Sequence, residues 1–130
     1  MANKLIPGKS MRDRLMWMAA LALLAAPVAH AKEAAADNYR AYCMQCHGLE
    51  GKGNGVNVRD MSVVPRDHTD AKAMSARSDD MLFKVIKEGG MSISKSVLMP
   101  PWGDTLSDDE IKDMVQHLRG LCKCQFGSQP

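Results

Sequence analysis

The 130-residue chain carries 17 Lys+Arg against 15 Asp+Glu, a formal charge of +2, and only 5% aromatic residues. That length fits one domain and excludes multidomain enzymes and large catalytic barrels. The aromatic content is thin for a domain that fills its core with side chains alone.

The slight basicity is concentrated at the N-terminus. Lys4, Lys9, Arg12 and Arg14 precede an apolar run over residues 15–26, followed by Pro27 and the small-residue pattern Ala29-His30-Ala31. A basic start, a dozen apolar residues and an A-x-A site read as a cleavable secretory signal over residues 1–31. The run is short for a bilayer core of about 30 Å, so no stable membrane insertion is expected after cleavage. Removing Lys4, Lys9, Arg12, Arg14 and Asp13 leaves residues 32–130 with 13 basic and 14 acidic residues, a net charge of −1. A nucleic-acid partner loses its support. The expected working domain is residues 32–130, exported to the periplasm.

Three helical stretches are predicted in that domain. The first runs from about Lys32 into Cys46, where Ala34, Ala35 and Ala36 favour helix. The second begins at Ser78, an N-cap followed by Asp79 and Asp80, and shares Leu82, Val85 and Ile86 on one face before Gly89-Gly90 stops it. The third opens on Ser107-Asp108-Asp109-Glu110, a capping box, and repeats Ile111, Met114, Val115 and Leu118 at helical spacing. Gly120 is expected to end it or fray it. Residues 48–76 and 91–103 are irregular, with Pro100-Pro101 opposing helix and central strand alike. No segment alternates as a strand, so the fold class is all-α with two long loops that wrap something or carry function.

Cys43-Met44-Gln45-Cys46-His47 is C-x-x-C-H, the attachment signature of c-type haem. Two thiols three residues apart on a helical turn can form thioethers to the two vinyl groups, and the adjacent imidazole is directed at the iron. Three other readings compete. A thioredoxin-like pair needs a preceding strand, a zinc site needs two more ligands such as Cys122 and Cys124, and a plain disulfide needs only the pair itself. The glycine run Gly48, Gly51, Gly53 and Gly55 is no phosphate loop, because no strand precedes it and Gly53 follows Lys52. Beside a planar macrocycle, such glycines allow close backbone approach.

The second axial ligand is open to His68, His117 and several methionines. Met81 and Met114 fall in helical stretches and read as core filler, and Met44 is confined within the attachment turn. His68 lies in the polar run Pro65-Arg66-Asp67-His68-Thr69-Asp70 and reads as a surface turn residue. Met91 lies in the loop. Met99 stands in Leu98-Met99-Pro100-Pro101-Trp102-Gly103, where two prolines reduce the entropy of holding a thioether on the iron.

C-x-x-C-H-G-x-x-G-x-G followed by M-P-P-W-G and a capped terminal helix resembles a class I bacterial cytochrome c over residues 32–130. The resemblance implies three main helices wrapped around one covalently bound haem c, with His47 and Met99 as axial ligands of the iron. It also implies that the first and last helices cross beside the haem, with Tyr39 at the crossing and His117 where an aromatic is usual. A proline carbonyl that holds the proximal imidazole maps onto Pro65, and Trp102 joins the haem-binding residues.

Cys122 and Cys124 are not a second haem site, since no His follows Cys124. In an exported protein they form a local disulfide that staples the C-terminus, a bridge to a second copy or an attachment to a partner. The expected function is a periplasmic, mono-haem electron carrier, not an enzyme, that docks transiently on redox protein partners. The alternatives are a subunit of a larger oxidase or reductase complex, or a peroxidase or gas sensor if Met99 is labile. Lys84, Lys87 and Lys95 against Asp104, Asp108, Asp109, Glu110 and Asp113 give an asymmetry that can steer a partner.

Overall fold

A computed structural model describes residues 26–128. By its contacts the chain forms one compact unit from Ala31 onward. The basic and apolar parts of the expected signal, residues 1–25, lie outside the described residues.

Helix α1 spans Ala26–Tyr42 and passes through the expected cleavage point after Ala31. The expected continuation into Cys46 is broken at Cys43. The amides of Cys46 and His47 both fall back on the Cys43 carbonyl, at 3.2 and 2.9 Å, and close a separate turn, α2, over Met44–His47. A 3-10 turn follows at Val56–Asp60, then the short helix α3 at Ala71–Ser75, capped by the Asp70 carboxylate on the Ala73 amide.

Helix α4 covers Asp79–Glu88, begins with the Ser78 side chain accepting from the Met81 amide, and stops at Gly89. This is the second predicted helix. A 3-10 turn occupies Gly90–Ile93, and α5 covers Asp108–Cys122 with both halves of the Ser107–Glu110 capping box formed. Such caps contribute about 1 kcal/mol each. Helix α5 does not end at Gly120; that glycine lies in open space, and the helix runs on to Cys122 before Lys123 turns left-handed at φ 51°. No strand occurs among the described residues, and no helix among them is long and apolar enough to cross a membrane.

The core is built where α4 packs on α5 and α3 packs on α5. It holds Leu82 and Ile86 from α4, Ile111, Met114, Val115 and Leu118 from α5, Met74 from α3 and Tyr39 from α1. Arg119, buried among them, is satisfied by Asp79 Oδ1 at 2.7–2.8 Å and by the carbonyls of Met74 and Arg77 at 2.9 and 2.5 Å. A guanidinium taken out of water needs these partners, so Arg119 fixes α5 against the junction of α3 and α4.

Cys122 and Cys124 are bonded to each other, with Cα atoms 5.2 Å apart. The left-handed turn at Lys123 brings the two side chains together. Both sulfurs are thereby used, which corrects the expectation of a disulfide-linked dimer through Cys122 or Cys124.

Candidate haem-attachment site

Helix α1 delivers Tyr39 to the core and hands the chain directly to Cys43. Cys43 and Cys46 are the free cysteines among the described residues, and both are half-buried. Burial pushes the Cys43 thiol up to about 12, and the neighbouring Cys46 adds to the rise. Among the described residues no group of three or more His, Cys, Asp or Glu is placed to hold a metal ion. The disulfide removes Cys122 and Cys124 from the four-thiolate reading, and among the described residues no strand precedes Cys43 as a thioredoxin-like pair needs.

His47 Nδ1 lies 3.0 Å from the Arg66 carbonyl oxygen. The carbonyl that holds the ring is therefore that of Arg66, one residue beyond the Pro65 expected for it. Pro65 has another role in the same loop. A Cβ placed on Gly53, whose φ is +71°, would meet the Pro65 carbonyl oxygen at 2.5 Å. Only glycine suits that place, since the left-handed backbone and the close approach both exclude a side chain. Burial pulls His47 below the ordinary histidine range, with the Arg66 carbonyl opposing it, so the imidazole is neutral. With Nδ1 engaged as a donor, Nε2 is the nitrogen left to bind a metal, which is the form an axial ligand takes.

His68 is not a surface turn residue. It is 8% exposed, and its ring is stacked on that of His47 with centroids 4.2 Å apart and planes 16° from parallel. Burial, with His47 as the next cause, pushes it down to about 3, so it is neutral. Its Nδ1 lies 3.3 Å from the Tyr39 hydroxyl oxygen, and that hydroxyl donates its proton to the Gly48 carbonyl at 3.3 Å. A ring stacked against His47 cannot reach across to the opposite face of an iron that His47 binds. His68 is thereby removed from the candidates for the second axial position.

Met99 is half-buried and packs against the core, whereas Met91 is 63% exposed. The Met99 backbone is pinned by its carbonyl, which accepts from the Gly90 amide at 2.9 Å. Beyond the prolines, the Trp102 and Gly103 amides donate to the Ile86 and Lys87 carbonyls at 3.0 Å each. Trp102 is half-buried, packs against the core and tilts over Tyr42 at a centroid distance of 5.1 Å. Tyr39 and His117 meet at 5.1 Å, so the rings expected where the first and last helices cross are in contact.

The chemistry of this donor set suits haem c. Cys43 and Cys46 would form the thioethers, His47 Nε2 would take one axial position of the iron, and the glycine loop leaves room for a planar group. Sequence reasoning missed Arg66 and the burial of His68; the only signal was their spacing from the attachment motif.

The family model described as cytochrome C oxidase, cbb3-type, subunit III, matches residues 30–118. No curated protein matches the chain. Among solved structures, the KustC0563 c-type cytochrome is 26% identical over 66% of this chain and 94% of its own, with a TM-score of 0.53. The Kuenenia stuttgartiensis reducing HAO-like protein complex Kustc0457/Kustc0458 is 27% identical, with a TM-score of 0.55. That match covers 68% of this chain but only 41% of the other. With its attachment motif and all-α architecture, the chain belongs to the class I c-type cytochromes, electron carriers that hold haem c covalently, in the family of cbb3-type cytochrome c oxidase subunit III.

Proposed function

We propose that the mature chain is an exported, mono-haem cytochrome with His47 and Met99 as axial ligands, passing single electrons between redox proteins in the periplasm. The observation that carries the reading is the placement of ligand groups in two separately anchored loops. His47 has its Nδ1 tied to the Arg66 carbonyl, and Met99 has its backbone tied to Gly90. When bound, the haem supplies a one-electron iron couple. Cys43 and Cys46 hold it, His47 orients toward it, and the Met99 thioether with the buried surroundings favours the ferrous state. Two protein ligands leave no coordination position for a substrate, so these residues support electron transfer rather than catalysis. The signal at residues 1–31 accounts for export.

Docking is proposed to be transient, through a small patch around the haem-binding loops. The lysines named for steering are already engaged in part: Lys84 pairs with Glu88 and Lys87 with Asp108, each at 2.6 Å. Exposed pairs of this kind are worth about 0–1 kcal/mol, so a partner can exchange them at low cost.

The test is the near-infrared methionine-to-iron absorption of the oxidised protein. It is expected in the wild type and absent in Met99→Ala; its persistence in the variant would overturn Met99 as ligand. A second reading, a subunit resident in a larger redox assembly, draws on the oxidase family description and on the neighbour from a protein complex. Co-purification with such an assembly after membrane solubilisation would favour it over a free shuttle.

A further inference from the structure

We propose that His68 is a positioning residue for the proximal ligand, fixing the rotational setting of the His47 ring by lying flat against its face. The inference rests on His47 being an axial ligand and goes beyond that assignment.

Two restraints act on His47, and they act in different directions. The Arg66 carbonyl accepts at Nδ1, in the plane of the ring, at 3.0 Å. This fixes the tautomer and the direction in which Nε2 points. An acceptor at one point in the plane restrains rotation about the line through the ring only weakly, because hydrogen-bond geometry at a carbonyl is broad. The missing restraint is a contact over the ring face. His68 supplies it, with centroids 4.2 Å apart and planes 16° from parallel.

A face contact positions its neighbour only if it is itself held. His68 is held from three sides. Its backbone amide donates to the Gly51 carbonyl at 2.6 Å. Its Nδ1 is 3.3 Å from the Tyr39 hydroxyl, and the Tyr39 ring meets it edge-on at 6.0 Å and 67°. Tyr39 in turn is 2% exposed and gives its single hydroxyl proton to the Gly48 carbonyl. The hydroxyl oxygen is then the acceptor and His68 Nδ1–H the donor, which sets the His68 tautomer as well. A relay of fixed groups therefore runs from the Gly48 carbonyl through Tyr39 and His68 to the face of His47.

The choice of side chain follows. Leucine at position 68 would fill volume but leave the Tyr39 hydroxyl without this partner, and it presents no flat face. Phenylalanine would keep the face and lose only the bond. Alanine would remove both and let the His47 ring turn.

The rotational setting of an axial imidazole determines how unpaired spin is distributed in a ferric haem. It is read by the anisotropy of the low-spin electron paramagnetic resonance signal and by the pattern of haem-methyl proton shifts. The experiment uses the full chain, exported and matured with haem, as wild type, His68→Phe, His68→Leu and His68→Ala. Wild type and His68→Phe are expected to share one resonance pattern. His68→Ala is expected to broaden the low-spin signal and to shift or split the methyl resonances, with His68→Leu between them. Covalent haem content and the methionine-to-iron band are expected to stay unchanged. Identical spectra in wild type and His68→Ala would overturn the positioning role alone. A wild type without low-spin, imidazole-ligated haem would instead overturn His47 as ligand, and this inference with it. Where His68→Ala fails to accumulate, His68→Leu decides the matter: it is expected to alter the pattern, and a wild-type spectrum in it would overturn the role.

Discussion

The loop from Gly48 to Asp70 and the loop from Gly89 to Gly103 each carry groups of the proposed haem site, yet they are held in different ways. In the first, bonds return to the attachment turn near both ends of the loop. The Gly53 amide donates to the His47 carbonyl at 2.8 Å, the Gly55 amide to the Cys46 carbonyl at 3.0 Å, and the Arg66 carbonyl reaches His47 itself. In the second, the Gly89, Trp102 and Gly103 amides bond to helix α4, and the Gly90, Ser92, Ser94 and Lys95 amides bond within the loop; both loops carry exposed apolar side chains, Val56 and Val64 in the first and Met91 and Val97 in the second. What each loop is bonded to sets which part of the fold it opens with, because proteins open locally in cooperative units. On the proposed ligation, the loop on the His47 side is bonded to the attachment turn itself, and the loop on the Met99 side to helix α4.

The largest expected effect comes from cutting the proximal side at its covalent root. Cys43→Ala with Cys46→Ala should abolish covalent haem, so that haem staining disappears from a denaturing gel while the polypeptide is still made. Retained staining would break the comparison at its base. Next in size is Gly53→Ala, which forces a Cβ against the Pro65 carbonyl in a left-handed backbone. It should cost about 2–4 kcal/mol, combining left-handed strain with overpacking, read from the urea midpoint. Gly120→Ala, with open space around it, is the matched control and should be neutral or stabilising by up to about 1 kcal/mol.

The smallest effect is expected on the distal side. Pro100→Ala should loosen the Met99 loop without touching the proximal loop. It should raise the affinity for added imidazole about 2- to 5-fold, from about 0.4–1 kcal/mol of loop entropy. A larger effect on global stability than that of Gly53→Ala would invert the proposed contrast.

The helices with capping chemistry were legible in the sequence because their signals are local. Ser78, Ser107 and Glu110 cap in the structure as their spacing predicts. The short turns at Val56–Asp60 and Gly90–Ile93 carry no such pattern and are set by what they pack against. His68 was misread because all its neighbours in sequence are polar; its burial comes from Gly51 and Tyr39, distant in the chain. The attachment motif was legible since its spacing is dictated by covalent chemistry. The carbonyl on His47 slipped by one residue, from Pro65 to Arg66, because chain path rather than residue type chooses it.

That last feature bears on how the site tolerates change. The group that steadies the proximal imidazole belongs to the main chain, and the Arg66 side chain is exposed. Every amino acid brings the same oxygen to that position. Drift at residue 66 is therefore silent for the His47 ring, whereas an insertion or deletion between His47 and Arg66 is not. Selection on this contact acts on loop length rather than on residue identity.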